Sequence, residues 1–167
     1  MKMAHAEVLK VLPLLAPQDI TTSATGSSYI DLDQCVGLLE LELMVGALTA
    51  TDSTDGVVVT VEATTAGASS DTNTAIAYQY MLSSAVDTDS MGAITAATSS
   101  GVALTSGSDD SKVMLIYVDP AAMAATVTDG RYVRVYLTPT SDQSATLVGV
   151  VARYTPRYSQ ASQKSST

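Results

Sequence analysis

Strict alternation of apolar and polar residues predicts the strands of this chain. The clearest stretch is 130–139, which follows an Asp-Gly turn signal, is rich in β-branched and aromatic residues, and ends on a proline. One face of this strand suits a core, and the other is either an aromatic, cationic contact surface or the solvated side of a sandwich strand. The core-facing side carries Val133, Val135 and Leu137, and the other side carries Tyr132, Arg134 and Tyr136.

The same alternation recurs along the chain. Residues 39–43 place three leucines on one face and two glutamates on the other, and residues 57–62 repeat the pattern with three valines. Because the polar loop 49–55 is the only separation between them, an antiparallel pair is the simplest topology. Residues 76–82 predict a further strand in which Ile76, Tyr78, Tyr80 and Leu82 share a face.

Shorter elements and one helix are predicted in the rest of the chain. Edge strands are expected around 93–95 and 102–105, and a last strand over 145–154. Residues 113–118 are apolar on both faces, which is typical of a central strand covered on both sides. Asp119 as a helix N-cap and Pro120 at the first helical position predict one or two turns of helix. About eight strands and one short helix indicate an all-β domain, a single β-sandwich or jelly-roll-like fold.

Domain boundaries follow from where the strand pattern starts and stops. The folded domain is predicted over 29–158, after an N-terminal arm and linker over 1–28 and before a Ser- and Gln-rich tail over 159–167. The arm is too apolar to stay exposed, and Pro13 and Pro17 prevent a long helix. It would therefore lie extended or in a short turn, against either a neighbouring subunit or its own domain. Its apolar contact candidates are Val8, Leu9, Leu12, Leu14 and Leu15.

Charge is distributed unevenly along the chain. The net charge is −9, and the stretch 11–111 contains thirteen carboxylates and no Lys or Arg. This balance argues against nucleic-acid binding, which requires clustered cations. No stretch is long and apolar enough to span a membrane, and the opening segment is interrupted by charged residues and a proline. We therefore expect a soluble protein that is made in a cytoplasm.

Catalytic and metal-binding patterns are missing from the sequence. His5 is the only histidine, which excludes a Ser-His-Asp or Cys-His centre and a multi-histidine metal site. The lone Cys35 is expected to be a small buried hydrophobe. Paired carboxylates such as Asp109 and Asp110 lie next to Ser, Thr and Gly, where they are ordinary turn formers, and they lack the spacing of a calcium loop. We expect neither enzyme activity nor a cofactor.

A basic and aromatic set lies on or just beyond the last two predicted strands. Arginines flanked by tyrosines are typical of protein interfaces, although the same arginines would also balance the charge of an acidic domain. The interface candidates in this set are Arg131, Tyr132, Arg134, Tyr136, Arg153, Tyr154, Arg157 and Tyr158.

Five stretches carry a resemblance to a known family. In chain order they are VTVEAT at 59–64, AYQY at 77–80, MLIYVDP at 114–120, RYVRVYLTP at 131–139 and PRY at 156–158. This series resembles small structural proteins encoded in the head modules of tailed bacteriophages, which are generally described as capsid decoration or cement proteins. The resemblance implies a non-enzymatic β-sandwich on the virion exterior. It also implies that the major capsid protein and copies of the chain itself, for example in a trimer, are its partners.

Two other classes of function stay open. A neck or tail component of the same kind of particle would share these features, and copy number per particle separates it from a decoration protein. A jelly-roll module that binds carbohydrate or a receptor would need exposed aromatic residues beside polar groups. Tyr78, Tyr80 and Tyr136 are the candidates for such a platform.

Overall fold

The computed structural model describes residues 9–68, 70–86, 88–140 and 143–157. Its strands are, in chain order, β1 (Lys10–Asp19), β2 (Thr25–Gly26), β3 (Ile30–Asp31), β4 (Cys35–Ala50), β5 (Gly56–Thr64), β6 (Thr74–Ile76), β7 (Tyr78–Leu82), β8 (Thr95–Ala97), β9 (Val102–Thr105), β10 (Val113–Val118), β11 (Tyr132–Pro139) and β12 (Gln143–Pro156). A 3-10 turn at Leu32–Gln34 and a helix, α1 (Pro120–Thr126), are also present. Val8, Tyr158 and the predicted tail lie outside the described residues.

The strands form two sheets whose inner faces share one core, which confirms the predicted β-sandwich. Sheet A has the strand order β1-β12-β4-β10-β7-β8. Sheet B has the order β2-β11-β5-β6, with β3 also paired to β11 and β9 also paired to β5. Neighbouring strands run antiparallel in both sheets.

Alternating side chains from both sheets fill the core, as the sequence pattern predicts. The inward positions are fully buried and belong to β4 and to the facing strands β5 and β11. Burying each Val or Leu side chain in this way stabilises the fold by about 1.5–3 kcal/mol relative to leaving it exposed. These inward residues are Leu39, Leu41 and Leu43 on β4, Val57, Val59 and Val61 on β5, and Val133, Val135 and Leu137 on β11.

Helix α1 begins where the sequence predicts it. The Asp119 carboxylate accepts a hydrogen bond from the backbone N–H of Ala121 at 2.8 Å, and Pro120 occupies the first turn. Met123 is buried and belongs to the core, so the helix is anchored to the sandwich by one apolar side chain.

The predicted pairing of β4 with β5 is wrong. The neighbours of β4 are β12 and β10 in sheet A, whereas β5 pairs with β11, β6 and β9 in sheet B. The loop after β4 therefore carries the chain from one sheet to the other. Period-two alternation shows which side of a strand is buried, but two strands with matching patterns can line the same core from opposite sheets.

The predicted strand over 76–82 is two strands. β6 ends at Ile76 in sheet B, and β7 begins at Tyr78 in sheet A. Ile76 and Tyr78 are both buried in the core, and Tyr80 and Leu82 are half-buried against it. The shared face that the sequence predicts is therefore real, but the chain changes sheets at Ala77.

Strand β10 is central in sheet A, as predicted, but no segment in the described part of the chain covers its outer face. Met114, Ile116 and Val118 are buried on the inner side. The alternate residues Val113, Leu115 and Tyr117 are only half-buried. An apolar sequence on both faces of this strand thus marks an apolar outer surface, not a second covering layer.

The described part of the predicted arm is an edge strand of the sandwich. β1 pairs with β12, and its register shifts fall at Pro13/Leu15 and Leu15/Gln18, next to prolines that cannot donate to a ladder. Leu14 is buried, and its carbonyl accepts a hydrogen bond from Ser28 N–H at 2.8 Å. Of the two alternatives for this segment, the structure has it packed on its own domain. The stretch read as linker contains β2, which pairs with β11.

Candidate functional site

Arg134 lies at the centre of the outer face of sheet B. Its Nε and Nη2 donate to Glu62 Oε2 at 2.8 and 2.7 Å, across the β11–β5 register. The guanidinium carbon lies 4.9 Å from the ring centre of Tyr29 and 5.0 Å from that of Tyr136. Only 14% of the Arg134 side chain is exposed. Its charge is thus compensated within the molecule by a carboxylate and two aromatic rings.

Neighbouring segments lie directly on this outer face. A Cβ on Gly26 would come within 2.8 Å of Arg134 Nη1, so β2 approaches the guanidinium closely. In the loop after β5, Gly67 adopts φ +71°, and a Cβ there would lie 2.7 Å from the Tyr132 ring. Tyr29 is buried, and its hydroxyl donates to Asn73 Oδ1 at 2.6 Å. The outer face of sheet B is therefore largely covered by the protein's own chain.

Arg131 also has its partners within the molecule. Its Nε and Nη2 donate to the two carboxylate oxygens of Asp31 at 2.8 and 2.6 Å, and Nε lies 3.2 Å from Asp33 Oδ2. Burial raises the pKa of Asp31, but the hydrogen bonds from Arg131 and from the Asp33 N–H, together with the charge of Arg131, outweigh burial. The pKa of Asp31 therefore lies below its ordinary value.

Arg153 is on the other outer face. It points outward from β12 in sheet A, between two glutamates of β4. Its Nη2 pairs with Glu42 Oε2, and its Nη1 lies 3.9 Å from Glu40 Oε1. Arg157 lies beyond the strand, beside a cavity next to Cys35, where its N–H donates to Gln34 O at 2.8 Å. The arginines predicted as one contact set are thus divided between opposite faces, because β11 and β12 follow each other in sequence but belong to different sheets.

The other predicted contact residues are mostly internal. Tyr154 faces the core at 1% exposure, and burial raises its pKa to about 12. Leu14 is buried, and Leu12 and Leu15 are half-buried against the core. Leu9 lines a surface cavity of about 260 Å³.

The outer face of sheet A is largely apolar around the charged Glu40, Glu42 and Arg153, and no segment within the described residues covers it. Its residues belong to five adjacent strands, which together span about 19 Å at a strand spacing of about 4.8 Å. Tyr117 and Met81 are neighbours across β10 and β7, with the Tyr117 hydroxyl donating to Met81 Sδ at 3.7 Å. We define this apolar face by Val11, Pro13, Leu38, Met44, Met81, Val113, Leu115, Tyr117, Leu147 and Val151.

Leu38 is the most prominent side chain of the apolar face. It is 60% exposed and borders three cavities of about 260, 450 and 480 Å³. The smallest cavity is also lined by Glu40, Tyr117 and Arg153. An exposed leucine that is flanked by cavities is typical of a side chain that packs into a partner protein.

No family model, curated protein or solved structure matches this chain. The site is therefore interpreted from its own geometry. Within the described ranges, no three His, Cys, Asp or Glu side chains come together in a way that could hold a metal ion. No helix in the same part of the chain is long and apolar enough to cross a membrane.

Asp52 and Asp109 have local turn contacts, as their sequence context predicts. Asp52 accepts from Thr54 N–H at 2.9 Å, and Asp109 accepts from Thr105 N–H at 3.0 Å. Asp110 accepts from the N–H of Leu48 at 2.8 Å, which ties two loops together. Cys35 is buried, and burial raises its pKa to about 12, so its thiol is unreactive, as expected for a small buried hydrophobe.

The three tyrosines considered for carbohydrate binding do not form an exposed platform. Tyr78 is 5% exposed, and its hydroxyl donates to Val59 O at 2.7 Å inside the core. Tyr80 packs against the same core, and Tyr136 lies beside Arg134 on the opposite side of sheet B.

Sequence reasoning missed the apolar face. A signal was available, because Val113, Leu115 and Tyr117 are apolar at positions where a solvated strand has polar side chains. In β4, Leu38 and Met44 are likewise apolar and exposed, at positions where strict alternation would place polar side chains. Without the strand order, these five side chains could not be assigned to one surface.

Proposed function

We propose that this protein is a non-enzymatic structural component of a phage particle, which binds the outside of the assembled capsid and stabilises it. Its partners would be the major capsid protein and copies of itself. The ordered resemblance, which spans about 29–158, and the β-sandwich fold support this proposal. Both are compatible with a neck or tail location as well, so the position on the particle needs a direct measurement.

The observation that carries the proposal is the apolar face. Soluble monomers rarely expose so many apolar side chains on one side of a sheet, here around Glu40, Glu42 and Arg153, and large exposed apolar surfaces mark protein contacts. The opposite outer face is covered by Tyr29, Gly26 and the loop that contains Gly67, so the two sides of the sandwich differ in what they offer a partner. A rigid sheet that presents one open side suits attachment to a preformed lattice.

Stabilisation of the capsid follows from the linkage between binding and assembly. A protein that binds the assembled capsid, but not its separated or expanded subunits, shifts the equilibrium toward the assembly by its binding free energy. Many identical weak contacts on one particle are sufficient for this effect, and no chemistry in the bound protein is needed.

The test uses particles that lack this protein. The purified protein is added to them, unbound protein is removed, and the bound copies are counted by mass. A copy number in proportion to the capsid subunits, together with greater resistance of the particle to heating, is the expected result. A copy number equal to that of a neck or tail ring would contradict decoration and favour the neck or tail alternative. Binding to a glycan array without binding to particles would favour the carbohydrate alternative.

A further inference from the structure

The apolar face contains an unequal set of charges. Glu40 and Glu42 point outward from β4, and Arg153 of β12 is the basic side chain between them. Arg153 pairs closely with Glu42, whose side chain is 15% exposed, and reaches Glu40 only at 3.9 Å. Glu40 is 29% exposed. The face therefore presents one more carboxylate than cation, and Glu40, which also has the Tyr117 hydroxyl as a hydrogen-bonding neighbour, is the more exposed of the two glutamates.

The surroundings of Glu40 have the shape and chemistry of a site for a basic side chain. The adjacent cavity of about 260 Å³ is lined by the apolar Leu9 and Leu38, by Tyr117, and by Glu40 and Arg153, of which Arg153 is paired closely with Glu42. Lys and Arg side chains bury their aliphatic stems along apolar surface while keeping the charged group paired. The ring of Tyr117 also offers a cation a favourable face.

A second copy of the chain is a poor occupant of this face. Each copy carries a net charge of −9, and all of β4 and β10 lie in or next to the stretch 11–111 that has no Lys or Arg. Each copy of the apolar face has two glutamates and one arginine, so stacking two copies would oppose two net negative surfaces, which disfavours association.

From these contacts we infer that the apolar face of sheet A binds a protein surface that presents aliphatic side chains and one Lys or Arg, and that this basic side chain enters the cavity beside Leu38 and pairs with Glu40. This inference rests on the proposed function, in which that surface is the outer side of the capsid.

Two variants with matched controls test the inference on the full chain. Glu40→Gln removes the charge but keeps the shape of the side chain, and Asp89→Asn removes one exposed carboxylate in the loop between β7 and β8. Leu38→Ser removes a 60% exposed apolar side chain from the face, and Val86→Ser removes a 49% exposed apolar side chain in the loop between β7 and β8, outside the residues that define the face. Each is mixed with particles that lack the protein, and bound copies are measured as a function of protein concentration and salt.

We expect Glu40→Gln and Leu38→Ser each to weaken binding by about tenfold or more, which corresponds to about 1.4 kcal/mol, while both controls bind like the parent. Binding of the parent should also weaken more steeply with salt than binding of Glu40→Gln, because only the parent makes the ion pair. Melting temperatures check that each variant is folded.

The outcomes separate the inference from the proposed function. If the parent binds particles and all four variants bind equally well, the inference is overturned while decoration stands. If Leu38→Ser loses binding but Glu40→Gln keeps both the affinity and the salt dependence of the parent, the face is the contact but the basic side chain is excluded. If the parent does not bind particles at all, the proposed function fails, and the inference fails with it. Self-association of the parent that Leu38→Ser abolishes would identify a second copy as the occupant.

Discussion

The two outer faces of the sandwich come from strands with the same alternating pattern, yet they differ in how their side chains are satisfied. On sheet B, Arg134 pairs with Glu62 beneath Tyr29, and the loop with Gly67 lies on Tyr132. On sheet A, Leu115 and Met44 face outward with no covering segment in the described part of the chain. The outer face of sheet B carries arginines and tyrosines that the sequence predicts as contact residues. In the structure, these side chains are partnered within the molecule.

This difference shows why residue type alone is a poor guide to a contact surface. Arginine and tyrosine are enriched at protein interfaces, but they also form internal networks in which each polar group has a partner. Arg134 and Arg131 belong to such networks. Aliphatic side chains on a solvent-facing sheet have no comparable internal role, so their exposure is more informative.

The strongest test of the contrast is the removal of Arg134. Arg134→Ala leaves the Glu62 carboxylate, which is 16% exposed, without its partner and removes the group between Tyr29 and Tyr136. Breaking a largely buried pair in this way destabilises a protein by about 3–5 kcal/mol. Urea unfolding measures the loss. Arg153→Ala on sheet A also leaves a glutamate of low exposure, Glu42 at 15%, without its partner, but the arginine it removes is 42% exposed, so it should cost less than Arg134→Ala. Equal losses would show that the two faces are packed alike.

The second test concerns the loop that covers sheet B. Gly67 and Gly37 both have positive φ values, of +71° and +74°, so alanine at either position carries the left-handed penalty of about 1–2 kcal/mol. Only at Gly67 would the new Cβ also meet a ring, that of Tyr132, since nothing lies within 4 Å of a Cβ on Gly37. Gly67→Ala should therefore be the more destabilising by about 1 kcal/mol or more in thermal unfolding. Identical losses would mean that the loop does not rest on the face.

Local signals in the sequence predicted the individual elements well. The strand at 130–139, the alternation at 39–43 and the capped helix at Asp119 depend on neighbouring residues, and all three are found in the structure. Their physical causes act within a few residues: side-chain direction along a strand, and capping of free N–H groups.

Assignment of strands to sheets was beyond those signals. Strands β4 and β5 are separated by a short loop, as in a hairpin, and β11 and β12 are consecutive, but both pairs are divided between the sheets. The arginines predicted as one set are separated for this reason. The apolar residues on both faces of β10 predict a covering layer, because fully buried strands have the same sequence pattern. Long-range pairing decides between these alternatives.

A smaller effect is expected from acid acting on the Asp31–Arg131 pair. The pKa of Asp31 in the folded protein lies below its ordinary value of 3.8, so the pair contributes stability above that value, and this contribution is lost as pH falls through the folded-state pKa. Arg131 is 42% exposed, which limits the contribution through solvent screening. Asp31→Asn should lower the free energy of unfolding at neutral pH. It should also make this free energy decrease less steeply as the pH falls. Asp33→Asn, at a 60% exposed carboxylate, should change both less. An unchanged acid profile in Asp31→Asn would assign the decline to other carboxylates.

Substitutions on the apolar face are expected to have the smallest effect on stability, although its side chains are more hydrophobic than those on the outer face of sheet B. Val11 and Leu38 are each 60% exposed, and Met44 is 37% exposed, so Val11→Thr, Leu38→Ser and Met44→Thr should each change the free energy of unfolding by no more than about 0.5 kcal/mol. The three changes together should also lower the binding of an apolar fluorescent dye to the native protein, because they remove accessible apolar area. Val86→Ser, at an exposed valine that is not among the residues defining the face, should change dye binding much less. If the triple variant instead unfolds as readily as Arg134→Ala, these side chains belong to the packing of the domain, and the apolar face is not a surface kept for a partner.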